Sequence, residues 1–234
     1  MGGFIRFVAW FVLLVAGFVL VVLPLLLPPL LTQMVRDLGV KADTLEVNVA
    51  LFDPSLLLGR SRQVTITAGN LDASPAHVDH FQLALGNASF FDRSFETVSG
   101  ELRGVSVALG RDTVSASSIS LSGPAEAAVA IAHLLPSEVE RLITVSAARN
   151  GVPIDAVRVT SGGARVTVHG IEADARLLVH GGALLLDPGV GGPIVLLQPA
   201  PSDPWSLSDA WFSDAGLNIS GAVDVRRMVG SLSR

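Results

Sequence analysis

The sequence predicts an α+β protein in which an N-terminal transmembrane helix is followed by a curved antiparallel β-sheet wrapped on helices. Three observations indicate this fold class. An apolar run without a charged residue extends from Phe7 to Leu31. From Leu45 onward, apolar residues recur at every second position, which is typical of half-buried strands. Between two groups of such strands, the segment from Ala125 to Ala148 is rich in good helix formers.

The apolar run is long enough to cross a membrane. Phe7 to Leu27 alone would form a helix of about 31 Å, which matches the thickness of a hydrocarbon core. A buried core helix and a cleaved signal peptide are the alternatives, but the run exceeds a signal-peptide core and lacks a small-residue cleavage site. Arg6 precedes the run and predicts a cytoplasmic N-terminus. We therefore expect a single-pass protein of the cell membrane with an extracytoplasmic C-terminal domain.

The chain divides into an anchor, a connector, one folded domain and a tail. Residues 1–31 form the predicted anchor and residues 32–43 a polar connector. Residues 44–226 carry the alternating pattern and form the predicted folded domain. Residues 227–234 are a polar tail.

Composition narrows the classes of function. The 234 residues carry a net charge of −5 and no basic block, which argues against nucleic acid as a partner. The chain has no cysteine, so disulfides and thiolate chemistry are excluded. No nucleophile elbow, phosphate-binding loop or dinucleotide fingerprint occurs. His77, Asp79 and His80 are a weak metal candidate that a solvated strand end explains better. We expect no cofactor, no metal and no catalytic residue.

Two details of the pattern bear on the fold. Val114 and Ala116 lie on one parity, whereas Ile119 and Leu121 lie on the other, and a β-bulge would reconcile them. Two helices are predicted, one from Ala125 to Leu135 and one from Ser137 to Ala148. The second begins with a capping box formed by Ser137 and Glu140.

Because no catalytic motif occurs, the apolar residues are the remaining basis for predicting a function. We predict that an apolar stripe on the helices faces the strands and lines a groove for phospholipid acyl chains, because each buried methylene contributes about 0.8 kcal/mol. The predicted lipid-binding residues are Val105, Val107, Leu109, Val129, Leu134, Val139, Leu142 and Ile143. The predicted membrane-contacting residues are aromatic, since such side chains favour the headgroup layer. They are Trp10, Trp205, Trp211 and Phe212.

The run from Leu45 to Phe90 resembles the opening of the LmeA-like phospholipid-binding family of actinobacterial envelope proteins. Its features are the segment FDPSLLLGR at Phe52 to Arg60, between strands with alternating valines. The helical stretch that precedes the run VPIDAVRVTSGGARVTVHG, which begins at Val152, and the closing strand from Gly216 to Val225 also resemble that family. The resemblance implies an elongated, curved sheet wrapped on helix, similar to tubular lipid-binding domains. It also implies an envelope protein that binds phospholipid, with some members supporting lipoglycan synthesis.

Three functions remain open from the sequence. The first is a non-enzymatic phospholipid-binding protein of the cell envelope. The second is a structural or scaffolding envelope protein whose apolar core is filled and whose partners are proteins. The third is an envelope hydrolase with a site assembled from distant Asp, Ser and His residues.

Overall fold

The computed structural model describes residues 41–49, 54–73, 76–92, 94–109 and 112–232. The predicted anchor and most of the connector lie outside the described residues. In the described part of the chain, no helix is long and apolar enough to span a membrane.

The described residues form thirteen strands, two α-helices and one 3-10 turn. The first six strands are β1 (Lys41–Val49), β2 (Arg60–Ala73), β3 (Ala76–Ser89), β4 (Thr97–Leu109), β5 (Asp112–Pro124) and β6 (Ala128–Leu134). The next five are β7 (Ala156–Thr160), β8 (Gly163–Val168), β9 (Ile171–His180), β10 (Ala183–Asp187) and β11 (Ile194–Leu197). The last two are β12 (Trp205–Ser213) and β13 (Gly216–Val223). The 3-10 turn is Pro54–Leu58, and the helices are α1 (Pro136–Arg149) and α2 (Val225–Leu232).

The strands form two curled antiparallel sheets. An eight-stranded sheet has the order β1-β2-β3-β4-β5-β6-β13-β12, and a five-stranded sheet has the order β11-β10-β9-β8-β7. Most neighbours in each sheet are also neighbours in sequence, so short turns suffice to join them. The exception is β13, which returns from the end of the domain to pair with β6.

The prediction of an α+β fold is wrong, because the described chain is mostly β with two helices. The segment predicted as a helix from Ala125 to Leu135 forms β6 instead. Alanine favours a helix over other residues by only tenths of a kcal/mol per position. Here β6 pairs with β5 on one side and β13 on the other, and these two hydrogen-bonded ladders outweigh so small a preference. The predicted connector and tail also contain structure, since β1 begins at Lys41 and α2 covers Arg227.

One face of the large sheet, which we call the inner face, carries two apolar cores. The helix core joins α1 to both sheets and includes Val139, Leu142, Ile143, Leu184 and Leu217. The sheet core lies near the other end of the long strands and includes Val47, Val64, Leu83, Val98 and Val225. The opposite face carries mainly serine, threonine and charged side chains, as its exposed residues show. The alternation in the sequence therefore separates a packed face from a solvated one.

A row of irregular positions crosses β1 to β5. In β4 and β5, Arg103 pairs with Ser118 and Val105 with Ala116, so the register is the same on both sides of Gly104. The ladder between these strands omits only the pair Gly104 and Ser117. The ladders between the preceding strands omit the corresponding pairs, which are Asp43 with Asn70, Asn70 with Asp79, and Asp79 with Gly104. Asn70 and Gly104 have φ values of 49° and 60°. The row, which we call the reversal row, consists of Asp43, Asn70, Asp79, Gly104 and Ser117.

The reversal row explains the parity change seen in the sequence. In β5 the apolar residues switch from Val114 and Ala116 to Ile119 and Leu121, and in β4 they switch from Val105 to Leu102. The predicted one-strand bulge is absent there, because β5 gains no residue relative to β4. Instead, all five strands change parity at one row, which keeps their apolar side chains on the inner face.

Helix α1 joins the two sheets through its carboxylates as well as its apolar stripe. Glu138 Oε2 accepts the backbone N–H of Ser115 in β5 at 3.0 Å, and Glu140 Oε1 accepts that of Val159 in β7 at 2.9 Å. The predicted capping box does not form, since Leu135 is the N-cap residue and makes no side-chain cap. The two glutamates instead satisfy N–H groups at strand edges.

We expect Gly104→Ala to lower the free energy of unfolding by about 1–3 kcal/mol, because its positive φ is unfavourable for a residue with a Cβ. A Cβ at this position would also lie 1.9 Å from Asp79 Oδ2. Urea unfolding followed by circular dichroism measures the change. The control is Gly162→Ala, where a Cβ meets nothing within 4 Å. Equal stability of the two variants would contradict a structural role for the reversal row.

Replacing Glu140 by alanine should cost about 1–2 kcal/mol, because the edge N–H of Val159 loses its acceptor. The same urea titration measures it. Arg141→Ala, at an exposed position of the same helix, should change stability by less than about 0.5 kcal/mol. If both variants behave alike, the contact between Glu140 and β7 does not help to hold the small sheet in place.

Candidate functional site

The predicted lipid-binding residues do not come together in one place. Leu134, Val139, Leu142 and Ile143 lie in the helix core, and each is at most 5% exposed. Val129 lies on the opposite face of β6 and is 48% exposed. The helical stripe predicted as a groove lining is thus the packed contact between α1 and the sheets.

The strand residues of that prediction have a different setting. Val105 is buried and Val107 partly buried, and neither belongs to the helix core or the sheet core. Leu109 has its backbone in β4, paired with Asp112. Val105 and Val107 therefore belong to neither core, although their direct partners Ala116 and Val114 pack against the helix core.

We call five of the inner-face residues that belong to neither core, all within two positions of the reversal row, the seam. Leu71, Val78 and Val105 are directly paired on one side of the reversal row. Leu102 and Ile119 are directly paired on the other side. Leu71, Leu102 and Ile119 are only partly buried. Directly opposed residues share a face of an antiparallel sheet, so each side of the seam presents a short apolar row.

Sequence reasoning missed Leu71, Val78, Leu102 and Ile119 as site candidates. Leu71, Val78 and Leu102 have the opposite parity to the apolar residues that alternate in the same strands, so the spacing did not identify them as inner-face residues. Ile119 was visible on the shifted parity of β5, but nothing separated it from residues such as Val64, which pack in the sheet core. The missing signal is the parity change shared by all five strands, which only the register shows.

The aromatic residues predicted to contact a membrane are also dispersed. Trp10 lies outside the described residues. Trp211 is 41% exposed on β12, whereas Phe212 points the other way and packs against the helix core. Trp205 is partly buried and lines a cleft of about 200 Å³ together with Asp203, Asp224 and Arg227. Only Trp211 among the described three is an exposed aromatic side chain.

A larger cleft of about 480 Å³ lies where β2 begins and β3 ends. We call it the arginine cleft, because Arg60, Arg62 and Arg226 line it. Asp92 and Glu96 also line it, and each is hydrogen-bonded: Ser89 Oγ donates to Asp92 at 2.9 Å, and Asn87 Nδ2 donates to Glu96 at 2.7 Å. The seam residues line neither this cleft nor the smaller one.

Arg226 and Arg60 differ in their partners. Arg226 Nε and Nη2 donate to the carbonyl of Phe95 at 2.9 and 2.7 Å, and its Nη1 donates to Glu126. The side chain of Arg60 makes neither a hydrogen bond nor an ion pair with the described residues. Arg226 therefore holds α2 against the start of β4, while Arg60 keeps its donors directed to solvent.

His77 lies at the opposite end of the long strands, between two carboxylates. Its Nδ1 bonds Asp72 Oδ1, and its Nε2 lies 3.2 Å from Asp79 Oδ1. The hydrogen bond with Asp72 raises the pKa of His77 above the ordinary 6.5, and Asp79 adds to the effect. With both ring nitrogens engaged, His77 has no free nitrogen to activate a serine. This geometry speaks against a hydrolytic triad built on His77.

Titration of His77 provides a direct check of this cluster. Its pKa, measured by NMR on the ring protons, should lie above 6.5 in the folded protein and should fall in Asp72→Asn. A raised folded pKa means that the contribution of His77 to stability is present below its unfolded pKa and is lost as the pH rises through the folded value. An unchanged pKa in Asp72→Asn would show that the ring is not bonded to that carboxylate.

No family model, no curated protein and no solved structure matches the chain. The resemblance to the LmeA-like family stays a prediction.

Proposed function

We propose that this chain is a non-enzymatic phospholipid-binding protein of the cell envelope, tethered to the membrane by Phe7 to Leu27. The observation that carries the proposal is the seam. It is an apolar part of the inner face that belongs to neither core and is only partly buried at Leu71, Leu102 and Ile119. Partly buried apolar side chains in a row are a favourable surface for an acyl chain.

The seam has the dimensions of an acyl-chain site. The seam residues lie on four strands, β2 to β5, and strands spaced about 4.8 Å apart place them along a line of roughly 14 Å. This is about the length of a fully extended chain of a dozen carbons, and burying its methylenes contributes about 0.8 kcal/mol each. In this proposal the acyl chain lies across β2 to β5, and the headgroup stays in solvent.

The apolar residues of α1 support the proposed site without contacting the acyl chain. Val139, Leu142 and Ile143 are at most 1% exposed, so an acyl chain cannot contact them without displacing α1. Their role is to hold the helix core together and so to form one wall beside the seam. The candidate lipid contacts are therefore residues of the sheet rather than of the helix.

A structural protein with protein partners is the second candidate. The full burial of the helix stripe favours it, because a filled core needs no ligand to be stable. The two candidates differ at the seam. In a scaffold other parts of the protein cover it, whereas in a lipid-binding protein an acyl chain covers it.

Native mass spectrometry of the full chain, with extraction and identification of bound lipid, separates these candidates. We expect a stoichiometric phospholipid on the wild-type protein and its loss in Ile119→Asp, which places a carboxylate on the seam. The matched control is Ser120→Asp, at the adjacent exposed position on the outer face. Circular dichroism establishes that both variants are folded.

Two results would contradict the proposal. One is a folded wild-type chain that carries no phospholipid and acquires none from vesicles. The other is equal lipid retention in Ile119→Asp and Ser120→Asp, which would place any bound lipid away from the seam. A scaffold would then be the better account.

A further inference from the structure

We propose that the end of the large sheet beside the arginine cleft docks onto a phospholipid bilayer, inserting Leu58 and Phe91 among the headgroups. This surface is separate from the seam, so the inference stands independently of the acyl-chain site. Phe91 is 80% exposed and Leu58 is 73% exposed, the two largest exposures among the large apolar side chains of the described residues. We call Leu58, Gly59 and Phe91 the tip.

Among the side chains that the structure describes, each loop of the tip has one apolar residue that packs inward and one that faces solvent. In the 3-10 turn, Leu56 is 2% exposed and packs in the sheet core, whereas Leu58 faces solvent. In the loop after β3, Phe90 packs against the same core, whereas Phe91 faces solvent. The inward residues explain why the loops are apolar at all. The outward ones contribute nothing to that core, so their exposure calls for a partner.

The tip is held in place rather than loosely attached. Phe90 N–H donates to the Gly59 carbonyl at 2.9 Å, and Gly59 N–H donates to the Leu56 carbonyl at 3.0 Å. The ring of Phe91 lies directly over Gly59, since a Cβ there would be 1.9 Å from Phe91 Cε2. Gly59 has a φ of 68°, which glycine adopts readily. A presented apolar pair of this kind loses little conformational freedom on insertion.

The arginine cleft gives the tip its polar neighbours. Arg60 follows Leu58 by two residues and pairs across the ladder with Ser89, which precedes Phe91 by two residues. Asp92 and Glu96 are bonded to Ser89 and Asn87, while the guanidinium of Arg60 has no partner among the described residues. Arginine beside exposed apolar side chains matches the bilayer interface, where phosphate lies above the acyl chains.

The chain enters the domain at the far end from the tip. β1 runs from Lys41 to Val49, and Val49 pairs with Val64 near the arginine cleft. The two ends of β1 are roughly 26 Å apart at 3.3 Å per residue. We take the docked bilayer to be the one that holds the proposed anchor, because residues 32–40 can span about 30 Å when fully extended.

Because the chain has no cysteine, single substitutions place a fluorescent probe at one site. We would label Leu58→Cys and Phe91→Cys in the full chain, reconstituted in phosphatidylcholine vesicles with and without phosphatidylglycerol. The matched control is Ile171→Cys, a 55% exposed apolar position on the small sheet. In separate samples, nitroxide-labelled lipid is present in the host vesicles or in added vesicles, and iodide is the aqueous quencher. Quenching only by added vesicles would contradict docking onto the anchor's own bilayer.

We expect the probes at positions 58 and 91 to be quenched severalfold more by the nitroxide lipid, and severalfold less by iodide, than the probe at position 171. Phosphatidylglycerol should strengthen this difference, and Arg60→Gln should weaken it, whereas Arg158→Gln on the small sheet should not. If the three probes are equally accessible to iodide in both vesicle types, the tip does not dock and the proposal is wrong. If Arg60→Gln and Arg158→Gln are equivalent, the role given to Arg60 is wrong.

Discussion

The attachment of α1 to the strand edges of both sheets is the constraint on which the rest of the domain depends. The apolar stripe of this helix packs in the helix core, and Glu138 and Glu140 accept N–H groups from β5 and β7. At the other end of the helix, Asn150 Nδ2 donates to the carbonyl of Val195 in β11. One helix thus connects both outer strands of the small sheet to the large one. A buried or edge N–H without an acceptor is costly, so these side-chain contacts favour a single position for the helix.

The reversal row makes a long curled sheet compatible with a continuous inner face. An ordinary one-residue slip in one strand would turn its apolar set toward solvent. Here β1 to β5 change parity together, and the register between neighbours stays the same on both sides. The left-handed backbone at Asn70 and Gly104 is the local means of that change. The seam owes its position to this row, since its residues lie on both sides of it.

The two ends of the large sheet have different chemistry. At one end, His77 lies between Asp72 and Asp79, which gives an acidic, solvated surface near the start of β1. At the other end, the tip presents apolar side chains beside Arg60. The proposed acyl-chain site and the proposed docking surface therefore use different residues of the large sheet.

The sequence by itself determined the features that depend on local spacing. The alternation in β1 to β5, the parity change in β5 and the buried stripe of α1 were all visible there, because side chains alternate across a strand and recur along a helix face. Only the tertiary structure decided that Ala128 to Leu134 is a strand, since its state depends on β13, which lies far along the chain. The same holds for the burial of Leu142 and the partial exposure of Leu102. Both are inward-facing apolar residues, and the extent of cover by a distant element, rather than their own pattern, separates core from site.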